Sequence, residues 1–89
     1  MKILAVCGAG VGTSVLLKMN AEKALRTLDL EAEVVAMNLA NALEVQDAQV
    51  ILTTPDLVAK LEGTRSEVIA IEGIFDLNEI GEKLEKALG

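Results

Sequence analysis

Ile3-Leu4-Ala5-Val6-Cys7-Gly8-Ala9-Gly10-Val11-Gly12-Thr13-Ser14 is the stretch from which the fold is read. Four apolar residues form a run of strand character. The run ends in a glycine-rich turn, and a long helical pattern begins near Ser14. The chain's one cysteine therefore stands where a strand stops and a helix starts. At such a junction, free backbone N–H groups and the positive end of a helix dipole converge on one small volume. That volume suits an anion, and a thiol inside it is expected to be driven toward thiolate. A lone cysteine is also compatible with a small buried apolar side chain. Against that, three of the seven glycines fall between Gly8 and Gly12, followed by two hydroxyl residues. Packing alone gives no reason for that loss of backbone order, whereas close approach of backbone to an anion does.

Outward from this stretch, Lys2–Val6 is the first expected strand. The helix is expected from Ser14 to about Leu28, capped by Ser14 or Thr13. Leu17, Ala21, Ala24, Leu25 and Leu28 would face a sheet, and Lys18, Glu22 and Arg26 the solvent. Val15, Leu16 and Met19 add apolar surface to the first turns. Two readings stay open: they pack beneath a neighbouring loop, or Leu16 and Met19 form a docking patch for a partner protein.

Glu31–Met37 is the second expected strand, and Asn38 caps a short helix from Leu39 to about Val45. Gln49–Thr53 is the third strand. Thr54-Pro55-Asp56 then has the grammar of a helix start, with the helix running to about Glu62 before Gly63. Glu67–Ile71 is the fourth strand. Asp76-Leu77-Asn78-Glu79 has capping-box spacing, and Leu77, Ile80, Leu84 and Leu88 mark one face of the last helix.

Four strands alternating with helices imply one α/β domain over residues 1–89: three layers, doubly wound, with a four-stranded parallel sheet in the order 2-1-3-4, flavodoxin- or Rossmann-like. Ligands of such sheets bind beyond the carboxyl ends of the strands, beside the switch point. The loop from Cys7 would lie there. Asn38, Thr53-Thr54-Pro55-Asp56 and Glu72-Gly73 would share the same rim.

Composition narrows the chemistry. The 89 residues carry a net charge of −6, which argues against nucleic acid as a partner. No run reaches the roughly 18 apolar residues of a membrane span, and no signal peptide is evident, so a cytoplasmic protein without membrane insertion is expected. There is no histidine, the commonest general base and metal ligand. Chemistry must then run on Cys7, on hydroxyls and carboxylates, or on groups brought by a partner. No metal and no cofactor are expected.

The glycine loop has several relatives in form. A dinucleotide fingerprint is G-x-G-x-x-G, but Gly8, Gly10 and Gly12 give G-x-G-x-G, and Asn38 stands where an acidic ribose ligand belongs. A Walker A loop needs lysine after its last glycine, and Gly12 is followed by Thr13. A C-x-x-C redox pair is absent. Small tyrosine phosphatases and related arsenate reductases use C-x5-R-[ST] in the same strand–loop–helix setting. Here Thr13 replaces the arginine that would grip a phosphate ester, and Pro55-Asp56 reverses the order of the phosphatase acid. A cysteine-dependent phosphatase or arsenate reductase-like enzyme is the alternative, poorly equipped, and a noncatalytic binding module is a third class.

Over essentially its whole length the chain resembles the B component, enzyme IIB, of the bacterial sugar phosphotransferase system (PTS). The residues that carry the resemblance are Ile3 to Ser14, then Leu16-Leu17-Lys18-Met19, and the four-strand pattern. It is most similar to the ascorbate and galactitol branch. The resemblance implies a phosphocarrier in which Cys7 takes a phosphoryl group from phosphohistidine of an A component. It would pass the group to a carbohydrate held by the membrane-embedded C component. The backbone N–H groups of Gly8, Ala9, Gly10, Val11, Gly12, Thr13 and Ser14, with the two hydroxyls, would then form the phosphate-binding loop. Lys18 and Lys2 are the nearby cations in sequence, and Lys18 reads more readily as a solvated helix residue than as a phosphate ligand.

Overall fold

Apolar strands alternating with one-sided helices close into an all-parallel sheet with the order β2-β1-β3-β4, the order expected from sequence. The computed structural model describes residues 1–8 and 11–88, with the backbone alone at Val11. The elements are β1 (Lys2–Val6), α1 (Val11–Thr27), β2 (Glu33–Met37), α2 (Leu39–Ala42), β3 (Val50–Thr53), a 3-10 turn (Pro55–Leu57) running into α3 (Val58–Leu61), β4 (Glu67–Ala70) and α4 (Leu77–Leu88). Val6 is paired with Met37 on one side and Thr53 on the other, and Thr53 with Ala70. All four strands thus end level, and Cys7, Asn38, Thr54 and Ile71 start one rim.

The period-2 alternation of β1 divides its side chains between two faces. Ile3, Ala5 and Cys7, with Val50 and Leu52, pack under Leu17, Ala21, Ala24 and Leu25 of α1 and Ile80 and Leu84 of α4. Leu4, Val6 and Ile51 face the other way, against Ala42, Leu57 and Leu61. Burying each Leu or Ile contributes about 1.5–3 kcal/mol. That decides the case for α2 and α3, which are too short to stand alone and are held by these contacts.

Helix α1 ends in a Schellman motif. Leu30 N donates to Leu25 O at 2.9 Å and Asp29 N to Arg26 O at 3.2 Å, with Asp29 at φ 56°. At the start of α4, Asp76 Oδ1 accepts from Glu79 N at 3.1 Å, the expected half of a capping box. The other half differs. The Glu79 carboxylate reaches past Asp76 to accept from Glu72 N at 2.8 Å and Gly73 N at 2.9 Å, because Asp76 N is already bonded to Gly73 O.

Several expected boundaries are corrected. α1 begins at Val11, so Thr13 and Ser14 lie inside its first turn and neither is its cap. β2 begins at Glu33 rather than Glu31, where the ladder starts with Glu33 N donating to Met1 O. Asn38 does cap α2, accepting from Asn41 N at 2.8 Å, but α2 stops at Ala42 rather than near Val45. Glu44 N and Val45 N bond three residues back instead of four, so the last turn tightens out of α geometry. The helix after Thr54 opens as 3-10 for the same reason, with Leu57 N bonded to Thr54 O at 3.0 Å, and Thr54 makes no side-chain cap bond. Leu77 is 45% exposed rather than a core residue, because it occupies the first position of α4, at the mouth of the α1–α4 groove.

Candidate functional site

Cys7 is the first residue beyond the central strand, and its side chain is drawn under α1, leaving 2% of the residue exposed. The helix that follows has no acidic residue in its first turn, so the positive end of its dipole is unopposed by its own side chains. Gly8 is exposed and opens onto a groove lined by Asn38, Leu39, Ala40, Asp56, Leu57 and Lys60. The level ends of the strands cause this assembly, because each contributes the residues just past its carboxyl end.

The expected loop residues are placed unevenly. Ala9 and Gly10 lie outside the described residues, as does the Val11 side chain. Gly12, Thr13 and Ser14 form the first turn of α1: Gly12 exposed, Thr13 half-buried, Ser14 buried. Neither Gly8 nor Gly12 has a positive φ, and a Cβ on Gly12 would meet no described atom within 4 Å. Their backbone conformations are therefore open to other residues.

Other rim residues are already engaged. Thr53 is buried, and its hydroxyl donates to Val6 O at 2.8 Å, so it holds the sheet rather than a ligand. The N–H groups of Glu72 and Gly73 are taken by Glu79, which also accepts from Lys83 Nζ at 2.7 Å. These bonds hold the Glu79 carboxyl well below the usual range, at about 2, with the Lys83 hydrogen bond as the largest cause. A carboxylate of this chain thus occupies the anion-binding part of that rim. Lys18 is ion-paired with Glu22 at 3.4 Å along α1. Lys2 lies at the far end of β1, about 15 Å from the rim on strand geometry, and pairs with Asp47 at 3.5 Å.

The thiol itself departs from expectation. Burial pushes its pKa above the ordinary 9.0, and the Asp56 carboxylate pushes it further the same way. Both effects favour the thiol over the thiolate expected from sequence. Lys60 and the Leu57 floor escaped the sequence reading. The available signal was that Lys60 stands four residues after Asp56, on the same side of one helical stretch.

The apolar residues of the first turns of α1 do not pack beneath a loop. Val15, Leu16 and Met19 are all exposed, Met19 to 46%. Beside α1, Asn20 Nδ2 donates to Ile74 O at 2.6 Å and holds the loop that carries Phe75, the chain's only aromatic, 70% exposed. Among the described residues no helix is long and apolar enough to cross a membrane.

Residues 2–86 match the family model for "PTS system, Lactose/Cellobiose specific IIB subunit". The chain is 29% identical over 90 residues to the ascorbate-specific PTS system EIIB component of Mycoplasma pneumoniae, covering 99% of this chain and 95% of that protein. The lactose-specific IIB component domain of Streptococcus pneumoniae superimposes with a TM-score of 0.73 at 14% identity, covering 100% of this chain and 98% of that one. An Enzyme IIB subunit of the PTS from Escherichia coli K12 gives a TM-score of 0.56 at 13% identity, covering 96% and 86%. The two structural likenesses establish a shared flavodoxin-like fold. The chain belongs to the IIB family of the sugar phosphotransferase system, whose members are phosphotransferases that pass a phosphoryl group to sugar.

Proposed function

We propose that this IIB chain is a cytoplasmic phosphocarrier, one domain over residues 1–89, whose phosphoryl acceptor is Cys7. The observation that carries the reading is the placement of Cys7: the first residue past the central strand, leading into the N-terminus of α1, whose first turn carries no acidic residue. In a chain without histidine, no other side chain combines a soft nucleophile with that position. The donor is phosphohistidine of an A component. As the phosphorus–nitrogen bond breaks and the phosphorus–sulfur bond forms, the thiol proton passes to the departing imidazole nitrogen. A resting thiol suits this exchange, because the donor itself supplies the base as it leaves. Backbone N–H groups from Gly8 to Ser14, with the Thr13 and Ser14 hydroxyls, hold the phosphoryl oxygens. The group then passes to a carbohydrate presented by the membrane C component.

Ascorbate-type substrate is the reading that the 29% identical relative supports, since that match spans nearly all of both chains. Leu16 and Met19, exposed beside the site, are the docking contacts proposed for the A or C component. The test is incubation with an ascorbate-type A component carrying phosphohistidine, followed by mass mapping of the modified residue. Cys7→Ser and Cys7→Ala should fold and accept nothing. Labelling retained in either variant would overturn the assignment. A Leu16→Gln, Met19→Gln double variant that folds and accepts phosphoryl at the wild-type rate removes the docking assignment.

A further inference from the structure

The turn that carries Asp56 is held beside the chain around Cys7 by contacts on both sides of each residue. Thr53 Oγ1 donates to Val6 O at 2.8 Å, and the Leu57 side chain stands 3.5 Å from where a Cβ on Gly8 would lie. Cys7 is the residue between Val6 and Gly8, and Asp56 belongs to the turn between Thr53 and Leu57. That turn is stiffened by Pro55 and closed by Leu57 N on Thr54 O at 3.0 Å. Asp56, an exposed residue, lines the same groove as Gly8.

Among the described residues neither an ion pair nor a hydrogen bond to the Asp56 carboxylate is present, and Lys60, the groove's other charged side chain, is not ion-paired with it. From the other face of the sheet, Lys18 is tied to Glu22 along α1, and Lys83 to Glu79 on α4.

We propose that Asp56 is an electrostatic positioning residue: its carboxylate, carried on a turn held beside Cys7, weakens the hold of sulfur on a phosphoryl group and biases the carrier toward onward transfer. The inference rests on Cys7 being the phosphoryl acceptor. A phosphoryl group on Sγ sets two negative charges near a third, so the phosphorylated state rises in energy more than the thiol does. In the onward step the phosphorus–sulfur bond breaks, the phosphorus–oxygen bond to the sugar forms, and the hydroxyl proton returns to sulfur. Asp56 exchanges no atom in either step and acts through its field alone.

The test compares wild type with Asp56→Asn, Asp56→Glu, Lys60→Met and Glu85→Gln, the last giving the same charge change as Asp56→Asn at an exposed position on α4. Two quantities are read: the pH profile of Cys7 alkylation by iodoacetamide, and the ratio of phosphorylated to free Cys7 at equilibrium with a fixed mixture of phosphorylated and free A component. Asp56→Asn should move the alkylation midpoint to lower pH and raise the phosphorylated ratio on the order of tenfold. Asp56→Glu should restore wild-type values, Lys60→Met should move both readouts the opposite way, and Glu85→Gln should move neither. Unchanged readouts in Asp56→Asn, equal effects of Glu85→Gln, or an alkylation shift without a change in the ratio would overturn the inference. Absence of any phosphoryl group on wild-type Cys7 overturns the functional reading instead.

Discussion

Thr53 Oγ1 donates a 2.8 Å hydrogen bond to the carbonyl of Val6, inside the sheet and one residue before Cys7. The bond joins the carboxyl ends of β3 and β1 at the level where the site begins. It also explains why a hydroxyl sits at a fully buried strand position: a buried polar group is tolerated where its partner is buried with it.

Thr53→Val keeps the volume and removes the donor. The expected loss is about 1 kcal/mol of stability, near the net worth of one buried hydrogen bond. Urea unfolding measures it, and an unchanged midpoint would show that the hydroxyl contributes nothing.

Cys7 should behave as a protected thiol in the free protein. Its raised folded-state pKa means that iodoacetamide at pH 7–8 reacts more slowly with the native chain than with the urea-unfolded chain, with a native midpoint above 9.0. The sign for stability follows from the same shift. The contribution is complete below the unfolded value and is lost as pH rises through the folded one. Cys7→Ala should therefore flatten the alkaline decline in stability. Equal alkylation rates for native and unfolded chains would contradict this account.

Glu79 gives the acid limb. Its carboxyl titrates at about 2 in the folded chain against an ordinary 4.5. The stability it contributes is present above 4.5 and is lost as pH falls toward 2. Because the carboxylate keeps some contact with solvent, Glu79→Gln should cost only about 1 kcal/mol at pH 7 and make the acid limb of the unfolding curve shallower between those values.

Two backbone positions should be improvable. Asp29 holds the left-handed position that ends α1, at φ 56°, and puts a negative charge near the negative end of the helix dipole. Asp29→Gly should stabilise by about 0.5–1 kcal/mol. Gly81 lies inside α4 without a positive φ, and a Cβ there would rest 3.9 Å from that of Ala24, an ordinary contact. Gly81→Ala should stabilise by about 0.5–1 kcal/mol. Thermal unfolding of each variant checks the sign.

The isolated protein should be a negligible phosphatase. Thr13 stands where an arginine would grip a phosphate ester, and the resting sulfur is protonated. Sustained release of nitrophenol from p-nitrophenyl phosphate, abolished by Cys7→Ala, would revive the hydrolase reading.

Local signals carried much of this far. The apolar run Ile3–Val6 named the central strand, the Asn38 cap was legible from one residue type before a helical pattern, and Asp76 with Glu79 marked the start of α4. Each depends on interactions a few residues apart, which sequence spacing records directly. The alternation of four such strands with helices also yielded the order 2-1-3-4, because crossover handedness leaves few alternatives.

By itself, then, the sequence determined the fold class, the position of Cys7 at the end of β1, and the absence of histidine chemistry. Tertiary structure decided the state and surroundings of that cysteine. Desolvation and the Asp56 carboxylate both favour the thiol, and both come from residues brought near only by folding. In the same way the Glu79 carboxylate captures the Glu72 and Gly73 N–H groups, and Lys60 enters the groove beside Gly8. Burial and field strength are sums over neighbours in space, so no spacing along the chain specifies them.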